Sequence, residues 1–517
     1  MEQTFVLILL ISVLGAVNCK RVLAVFPTPS ISHQVPFRHI THELARRGHE
    51  VVVITTDPAF KNGNSPENLI EIDVHDISYD IWRNSYVAAA SGKEEDIVIQ
   101  TDVGVKAMLE IFVKQLQMPE IQRILYNETF DLIMVESWIR TPLLFSHFHK
   151  VPVIQMSSFH GFLFNHEAVG SATHPLLYPV SVRQNHINLT LWEKMSQLYR
   201  FYYLYYRIKK FEETENEVLR KNFAPDMPSL SELNKNVDML FLNVYPIWDT
   251  NRPVPPNVVY IGGIHQSKQQ KLPSSLQSYL DSSKKGVVYV SFGTNTNPSS
   301  LPPHNIKTML DAFSQLPYDV LLKWDTDELP GKPKNVKIAK WLPQPDLLRH
   351  PKIKLFITQA GLQSTDEALT AGVPLLGIPI IGDQWYNAEK YVLLKIGLKL
   401  SMEALTKEKL TNAIEEVISN PSYKENIINL RNLVHEQPQS PLDRAIWWTE
   451  HLLKHGGGSH LRPPGANMPL TEYIELELVL VLFTIALLVF LSITGLILIV
   501  FKKILKITYN VGKLKQN

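Results

Sequence analysis

The chain has 517 residues, of which 51 are basic, 50 acidic and 45% hydrophobic, and it contains a single cysteine, Cys19. A balanced charge leaves no electrostatic footprint for nucleic acid, and one cysteine excludes an intrachain disulfide, zinc held by cysteines and dithiol chemistry. A chain of this length buries large cores without covalent staples and calls for at least two domains.

Residues 5–17 form an uncharged run of signal-peptide length, and small residues lead from it to Cys19. This predicts a secretory signal over 1–19, cleaved near Cys19 or Lys20. Glu2 departs from the usual basic start; an uncleaved anchor or a first core strand is the alternative. The next stretch reads as a β-α-β unit. Arg21–Phe26 is a strand, a Pro/Ser loop leads into a helix that ends near Arg47 with Gly48 at its C-cap, and Glu50–Thr55 is a second strand. The apolar runs are continuous rather than alternating, as in strands buried on both faces of a parallel sheet. A strand over 130–135, a helix over 139–149 and a strand over 151–156 extend the pattern. Within the helix-forming stretch further on, the aromatic run 201–206 reads as helix core, with a membrane-surface or acceptor-pocket segment as the alternative.

A Pro-rich stretch at 252–256 precedes a second series, with strands over 286–291, 319–324, 354–358 and 373–378. The expected fold class is therefore α/β, with two Rossmann-like doubly wound domains, 20–250 and 251–455, facing a cleft into which strand carboxyl ends present the site. After a juxtamembrane segment, 456–477, residues 478–501 carry no charge over 24 positions, enough for about 30 Å of hydrocarbon. A transmembrane helix is expected there. Lys502, Lys503 and Lys506 follow it while Glu472, Glu475 and Glu477 precede it, which puts the tail 502–517 in the cytoplasm and the bulk of the chain on the other side. Lys513 and Lys515 resemble the dilysine retrieval signal of endoplasmic-reticulum membrane proteins, against the alternative of a solvated basic tail. The expectation is a single-pass type I protein of that membrane with its domains in the lumen, where the sequons at Asn127 and Asn188 would be open to glycosylation.

Three segments carry the chemistry: Trp341-Leu342-Pro343-Gln344, the run 356–368, and Gly382-Asp383-Gln384-Trp385-Tyr386-Asn387. Gln359-Ala360-Gly361 closes a strand and opens a helix, where small residues let backbone N–H groups approach a diphosphate at the positive end of the helix dipole. Glu367, two turns further in, is placed to accept both ribose hydroxyls. Together these segments resemble the signature of the membrane-bound UDP-glucuronosyltransferase and UDP-glucosyltransferase family, and the likeness covers nearly the whole chain. It implies a GT-B fold, with the acceptor in the N-terminal domain and the UDP-sugar mainly in the C-terminal one. By that resemblance Trp341 stacks on uracil, Gln344 contacts the nucleotide, and Asp383 with Gln384 holds the sugar hydroxyls. Ser291, Gly293, Thr294 and Lys323 join the UDP-sugar set, as do Gln359, Gly361, Gln363 and Ser364.

Two departures stand out. Vertebrate members carry His-Gly-Gly where this chain has Gln359-Ala360-Gly361, so a phosphate-binding imidazole becomes a neutral amide, as in insect members. Lys323 stands where many members have Arg, keeping the charge and losing the fork. His33, just after the first strand, matches the family's catalytic base, and counting along the later strand makes Glu136 its carboxylate partner, with Asp131 structural. Arg252 matches a position that meets glucuronate's carboxylate in vertebrate relatives. Asp325-Thr326-Asp327 reads as a polar loop rather than a metal site.

The implied reaction is inverting, metal-independent transfer of glucose or glucuronic acid from a UDP-sugar to the hydroxyl of a small lipophilic acceptor, as in detoxification. No cofactor is expected beyond the UDP-sugar co-substrate. The bilayer is the other partner, and self-association is left open. The alternative is a non-catalytic membrane protein that binds sugar nucleotides or lipophiles.

Overall fold

The computed structural model describes residues 19–60, 64–88, 97–181, 188–294 and 297–514; the expected signal segment before Cys19, and Lys515, lie outside them. The chain divides into two units, Met1–Pro463 and Pro464–Asn517.

The first unit holds two parallel sheets. In the first, β1 (Arg21–Phe26), β2 (Glu50–Thr55), β3 (Leu69–Asp73), β4 (Leu132–Glu136), β5 (Val153–Ser157), β6 (Val237–Leu242) and β7 (Val258–Tyr260) run in the order 3-2-1-4-5-6-7. β1 pairs with β2 on one side and β4 on the other, Val22 lying beside both Val51 and Leu132. The strand order therefore reverses between β1 and β4, and a crevice opens at their carboxyl ends. The second sheet repeats the design with β8 (Val287–Ser291), β9 (Asp319–Lys323), β10 (Val336–Ala339), β11 (Ile353–Thr358), β12 (Leu375–Gly377) and β13 (Gly397–Lys399), ordered 10-9-8-11-12-13. Its reversal lies between β8 and β11, where Ser291 and Thr358 are register partners.

β4, β5 and β8 are buried along their whole length, as their uninterrupted apolar runs require. The helix Ile31–Arg46 turns Phe37, Ile40, Leu44 and Ala45 into this core at helical spacing. It stops where Gly48 takes φ +94°, a backbone that side chains disfavour. The helix expected over 139–149 shrinks to Leu144–His149 because Pro142 confines the preceding residues to a short turn, Thr141–Leu143.

Two features shift the division expected at 250/251. β7 lies beyond it yet pairs in parallel with β6, so the first sheet closes only at Tyr260. The helix Pro441–His455, read from sequence as part of the second half, packs on the first: Ala445, Ile446 and Leu452 share a core with Phe37, Ile40 and Leu44. Arg47 meets Glu450 at 3.2 Å, and Arg444 Nη1 donates to the Tyr260 carbonyl at 2.8 Å. A three-residue strand behind three prolines leaves too short an apolar run to read.

The aromatic run 201–206 is not helix core. It lies in the 32-residue helix Leu191–Asn222, capped by Thr190 and Glu193, and there Tyr202, Tyr203 and Tyr206 are exposed. In the second unit, Leu476–Thr508 is long and apolar enough to cross a membrane and contains the expected span 478–501.

Candidate active site

A cavity of about 530 Å³ is walled by the carboxyl-end loops of both sheets, with His33, Trp138 and Phe159 from the first and Ser291, Gln359 and Asp383 from the second. The reversal between β1 and β4 explains why two residues 103 positions apart meet here. His33 occupies the first turn of the helix after β1, and Glu136 is the last residue of β4. His33 Nδ1 and Glu136 Oε1 are 2.6 Å apart, with the Glu136 side chain 1% exposed and that of His33 18%. The other carboxylate oxygen accepts from the Thr28 backbone N–H at 3.3 Å and from the Thr28 hydroxyl. That hydroxyl accepts in turn from Trp138 Nε1 at 2.8 Å. With Nδ1–H given to the carboxylate, the imidazole keeps its free lone pair on Nε2, the arrangement of a general base. Asp131 sits at the far end of β4 and ties the sheet edge instead: it accepts from Arg21 N at 2.8 Å and pairs with Lys20 at 3.0 Å. Desolvation alone would raise its pKa, but these partners outweigh it and hold it low.

Across the cavity, β11 ends at Thr358 and Gly361 caps the helix Leu362–Ala371. Between them Ala360 is buried at φ +67°, and its carbonyl accepts from Asn387 Nδ2 at 2.9 Å. Gly293 holds φ +81°, a backbone that side chains disfavour, and the Gln359 amide occupies the space where a Cβ would stand. Gln344 organises the neighbouring wall: its carbonyl accepts from Tyr289 at 2.8 Å, and its amide donates to Ser364 at 2.9 Å and Glu367 at 2.8 Å. Burial pushes the Glu367 carboxyl up to about 7 against the pull of that amide. Lys323 Nζ donates to the Gly293 carbonyl at 2.8 Å and stands 4.8 Å from the Trp341 ring centroid; burial lowers its pKa. Trp341 itself is 70% exposed, an aromatic face with no protein stacked over most of it.

Asp383 accepts from Asn387 Nδ2 at 2.8 Å, and Asn387 accepts in turn from Trp248 Nε1 at 3.0 Å. Burial lifts Asp383 to about 6, opposed by the hydrogen bond from Asn387. The Gln384 carbonyl ties down its own turn, accepting from the backbone of Ile380 and Ile381 at 2.8 Å each. Thr294 and Ser364 line the cavity, and Gln363 reaches across it to donate to the Ser32 carbonyl.

Arg252 does not reach the cavity. It is 5% exposed, grips Asp249 at 3.1 and 3.3 Å with two nitrogens, and donates to the Ala172 carbonyl at 2.7 Å. The expected contact with a sugar carboxylate is thereby corrected, since its fork is already filled. Asp325 and Asp327 also lie off the cavity wall: Asp325 accepts from Ser299 N at 2.9 Å and Asp327 pairs with Lys340 at 2.8 Å. Asn127 and Asn188 are exposed. Thr28, Trp138, Tyr289 and Asn387 support the site residues, and sequence reasoning gave none of them a role, although Asn387 stands within the signature. Asn387 closes the segment that begins Gly382-Asp383, four residues after Asp383 on one helical face, and that spacing was the signal for it.

The first sheet's side of the cavity is rich in aromatic rings, with Trp82, Tyr86, Phe162 and Phe164 on the wall. Two charged clusters frame it: Arg207 pairs with Asp102, and buried Arg140 binds Glu212 at 2.7 Å and Glu215 at 2.6 Å.

The family model described as UDP-glucoronosyl and UDP-glucosyl transferase matches residues 21–511. An ecdysteroid UDP-glucosyltransferase of Spodoptera littoralis nuclear polyhedrosis virus is 36% identical over 499 residues, covering 92% of this chain and 96% of that protein. UDP-glucosyltransferase 2 of Dactylopius coccus is 30% identical over 485 residues, covering 93% of each. Among solved structures, a UDP-glucose: anthocyanidin 3-O-glucosyltransferase in complex with UDP superposes with a TM-score of 0.55 at 15% identity, over 84% of this chain and 99% of that one. The glycosyltransferase of kitacinnamycin gives 0.54 at 19% identity, over 85% and 100%. Two doubly wound sheets facing one cavity are thus the GT-B fold, and the chain, an enzyme that transfers a sugar from a UDP-sugar, belongs to the UDP-glucoronosyl and UDP-glucosyl transferase family.

Proposed function

We propose that the chain transfers glucose from UDP-glucose, with inversion and without a metal, onto the hydroxyl of a small lipophilic acceptor. The observation that carries this reading is the His33–Glu136 pair at 2.6 Å on the wall of a cavity whose other wall is the helix terminus at Gly361. His33 Nε2 takes the acceptor's proton while the hydroxyl oxygen attacks the anomeric carbon from the face opposite UDP. The bond from that carbon to the UDP oxygen breaks, and its electron pair leaves on the β-phosphate. Glu136 stabilises the imidazolium, and the helix N-terminal amides, with Gln359 and Ser364, offset the charge of the departing diphosphate. One displacement with one base inverts the anomeric centre. Trp341 carries the uracil, Gln344 and Glu367 the ribose side, and Asp383 with Gln384 the sugar hydroxyls.

Glucose is favoured because Arg252 is spent on Asp249 and because the relatives are named as glucosyltransferases. The aromatic wall supports a lipophilic acceptor, and the ecdysteroid in the names of the viral relatives makes a steroid alcohol the first to try. The apolar helix and the tail lysines support residence in the endoplasmic-reticulum membrane with the catalytic unit in the lumen, a setting suited to conjugating lipophiles for detoxification.

The test offers UDP-glucose and UDP-glucuronate at equal concentration with a panel of steroid and phenolic alcohols, and reads product mass and anomeric configuration. A β-glucoside is expected. Preferential glucuronide formation overturns the donor, and an α-product overturns the single displacement. His33→Ala should lower turnover by at least ~10²-fold with UDP affinity nearly unchanged.

A further inference from the structure

The helix Ile31–Arg46 carries Pro36 in its interior. In an α-helix the carbonyl of residue 32 takes the N–H of residue 36, and proline has none. The Ser32 carbonyl therefore lacks its i+4 partner, and it belongs to the residue immediately before His33. Ser32 is half-buried on the cavity wall, so its carbonyl is open to a donor from outside its own helix. The missing donor comes from the other sheet: the side-chain amide of Gln363 donates to the Ser32 carbonyl. Gln363 is the second residue of the helix Leu362–Ala371, whose N-terminus faces the cavity at Gly361. One hydrogen bond thus ties the turn that carries His33 to the turn that would carry the diphosphate.

We propose that Gln363 is a positioning residue: through the Ser32 carbonyl, which Pro36 leaves open, it sets where His33 stands relative to the donor. The proposal rests on His33 being the base, and it departs from the resemblance, which puts this amide on the UDP-sugar. The two roles separate kinetically. An amide on the diphosphate contributes to donor affinity, whereas an amide on Ser32 contributes to turnover through the placement of the imidazole.

The test is a double-mutant cycle of Gln363→Leu and Pro36→Ala, with turnover, UDP affinity by calorimetry and thermal midpoint measured on each full-length variant. Gln363→Leu should cut turnover about 3- to 10-fold, the loss of one hydrogen bond, with UDP affinity within about twofold of wild type. Pro36→Ala returns an N–H to the helix and satisfies Ser32 locally, so adding Gln363→Leu to it should cost little more. Weaker UDP binding at unchanged turnover in Gln363→Leu assigns the amide to the diphosphate and overturns the proposal, as do strictly additive effects in the cycle. If Pro36→Ala does not fold, the split between turnover and affinity in Gln363→Leu decides alone. His33→Ala, run in parallel, tells the two failures apart: full turnover there removes the base, whereas a turnover loss there beside additive Gln363 and Pro36 effects removes only the link.

Discussion

Glu136 holds two kinds of donor at once, the His33 ring on one oxygen and the Thr28 N–H and hydroxyl on the other. An amide in its place must turn its NH₂ toward one of these donors and loses the charge that offsets an imidazolium. Glu136→Gln should therefore cost more turnover than Glu136→Asp, which keeps the charge and shortens the reach by one methylene. Steady-state rates of the two variants check the order, and full activity in Glu136→Gln would refute the pairing. Glu367 makes a different prediction. Its folded-state pKa of about 7 lies above the ordinary 4.5, so the stability available below about pH 4.5 is lost as pH rises through 7. At pH 7 roughly half of the unliganded molecules hold this proton. Ribose hydroxyls donating to the carboxylate would favour its charged form, so UDP binding at pH 7 should release a fraction of a proton. Calorimetry in two buffers of different ionisation heat measures it, and Glu367→Gln should abolish it. Identical heats in both buffers for the wild type would contradict the ribose role.

At the scale of elements, the strands that build the site were legible because burial on both faces writes continuous apolar runs, and Arg21–Phe26 and Glu50–Thr55 fall where those runs do. His33 and Glu136 were read from the family resemblance, and the strands fixed only their places, the one in the first helical turn after β1 and the other at the end of β4. β7, β10 and β13 were not legible, being three or four residues long with little pattern to read. Side-chain destinations fixed by distant partners were also hidden: nothing local to Arg252 announces the Ala172 and Tyr178 carbonyls, 80 and 74 positions away. Arg252 braces the link between β6 and β7. Arg252→Met leaves Asp249 buried without its main counter-charge and should cost about 3–5 kcal/mol of stability. A lowered thermal midpoint with unchanged donor preference is expected; a shift from one UDP-sugar to the other would restore the arginine to the site.

At the scale of the molecule, the second unit carries the apolar helix Leu476–Thr508 and the first carries both sheets. A chain ending at Pro463 should keep the thermal midpoint and UDP affinity of the full chain measured in detergent, and loss of either would show that the boundary cuts a folded unit. Within the first unit, the chain passes between the sheets twice, once after β7 and once before the helix Pro441–His455 returns to the first sheet's core. The two halves are also joined away from these crossings: Trp248 Nε1 donates to Asn387 at 3.0 Å, the Trp248 carbonyl accepts from the Tyr386 hydroxyl at 3.0 Å, and Trp248 shares one buried cluster with Ala388 and Tyr391. The floor of the cavity is therefore a seam with its stitches on the inside, and a pair of labels near Ser32 and Gln363 should report one narrow distance distribution; two well-separated distances would undo the seam.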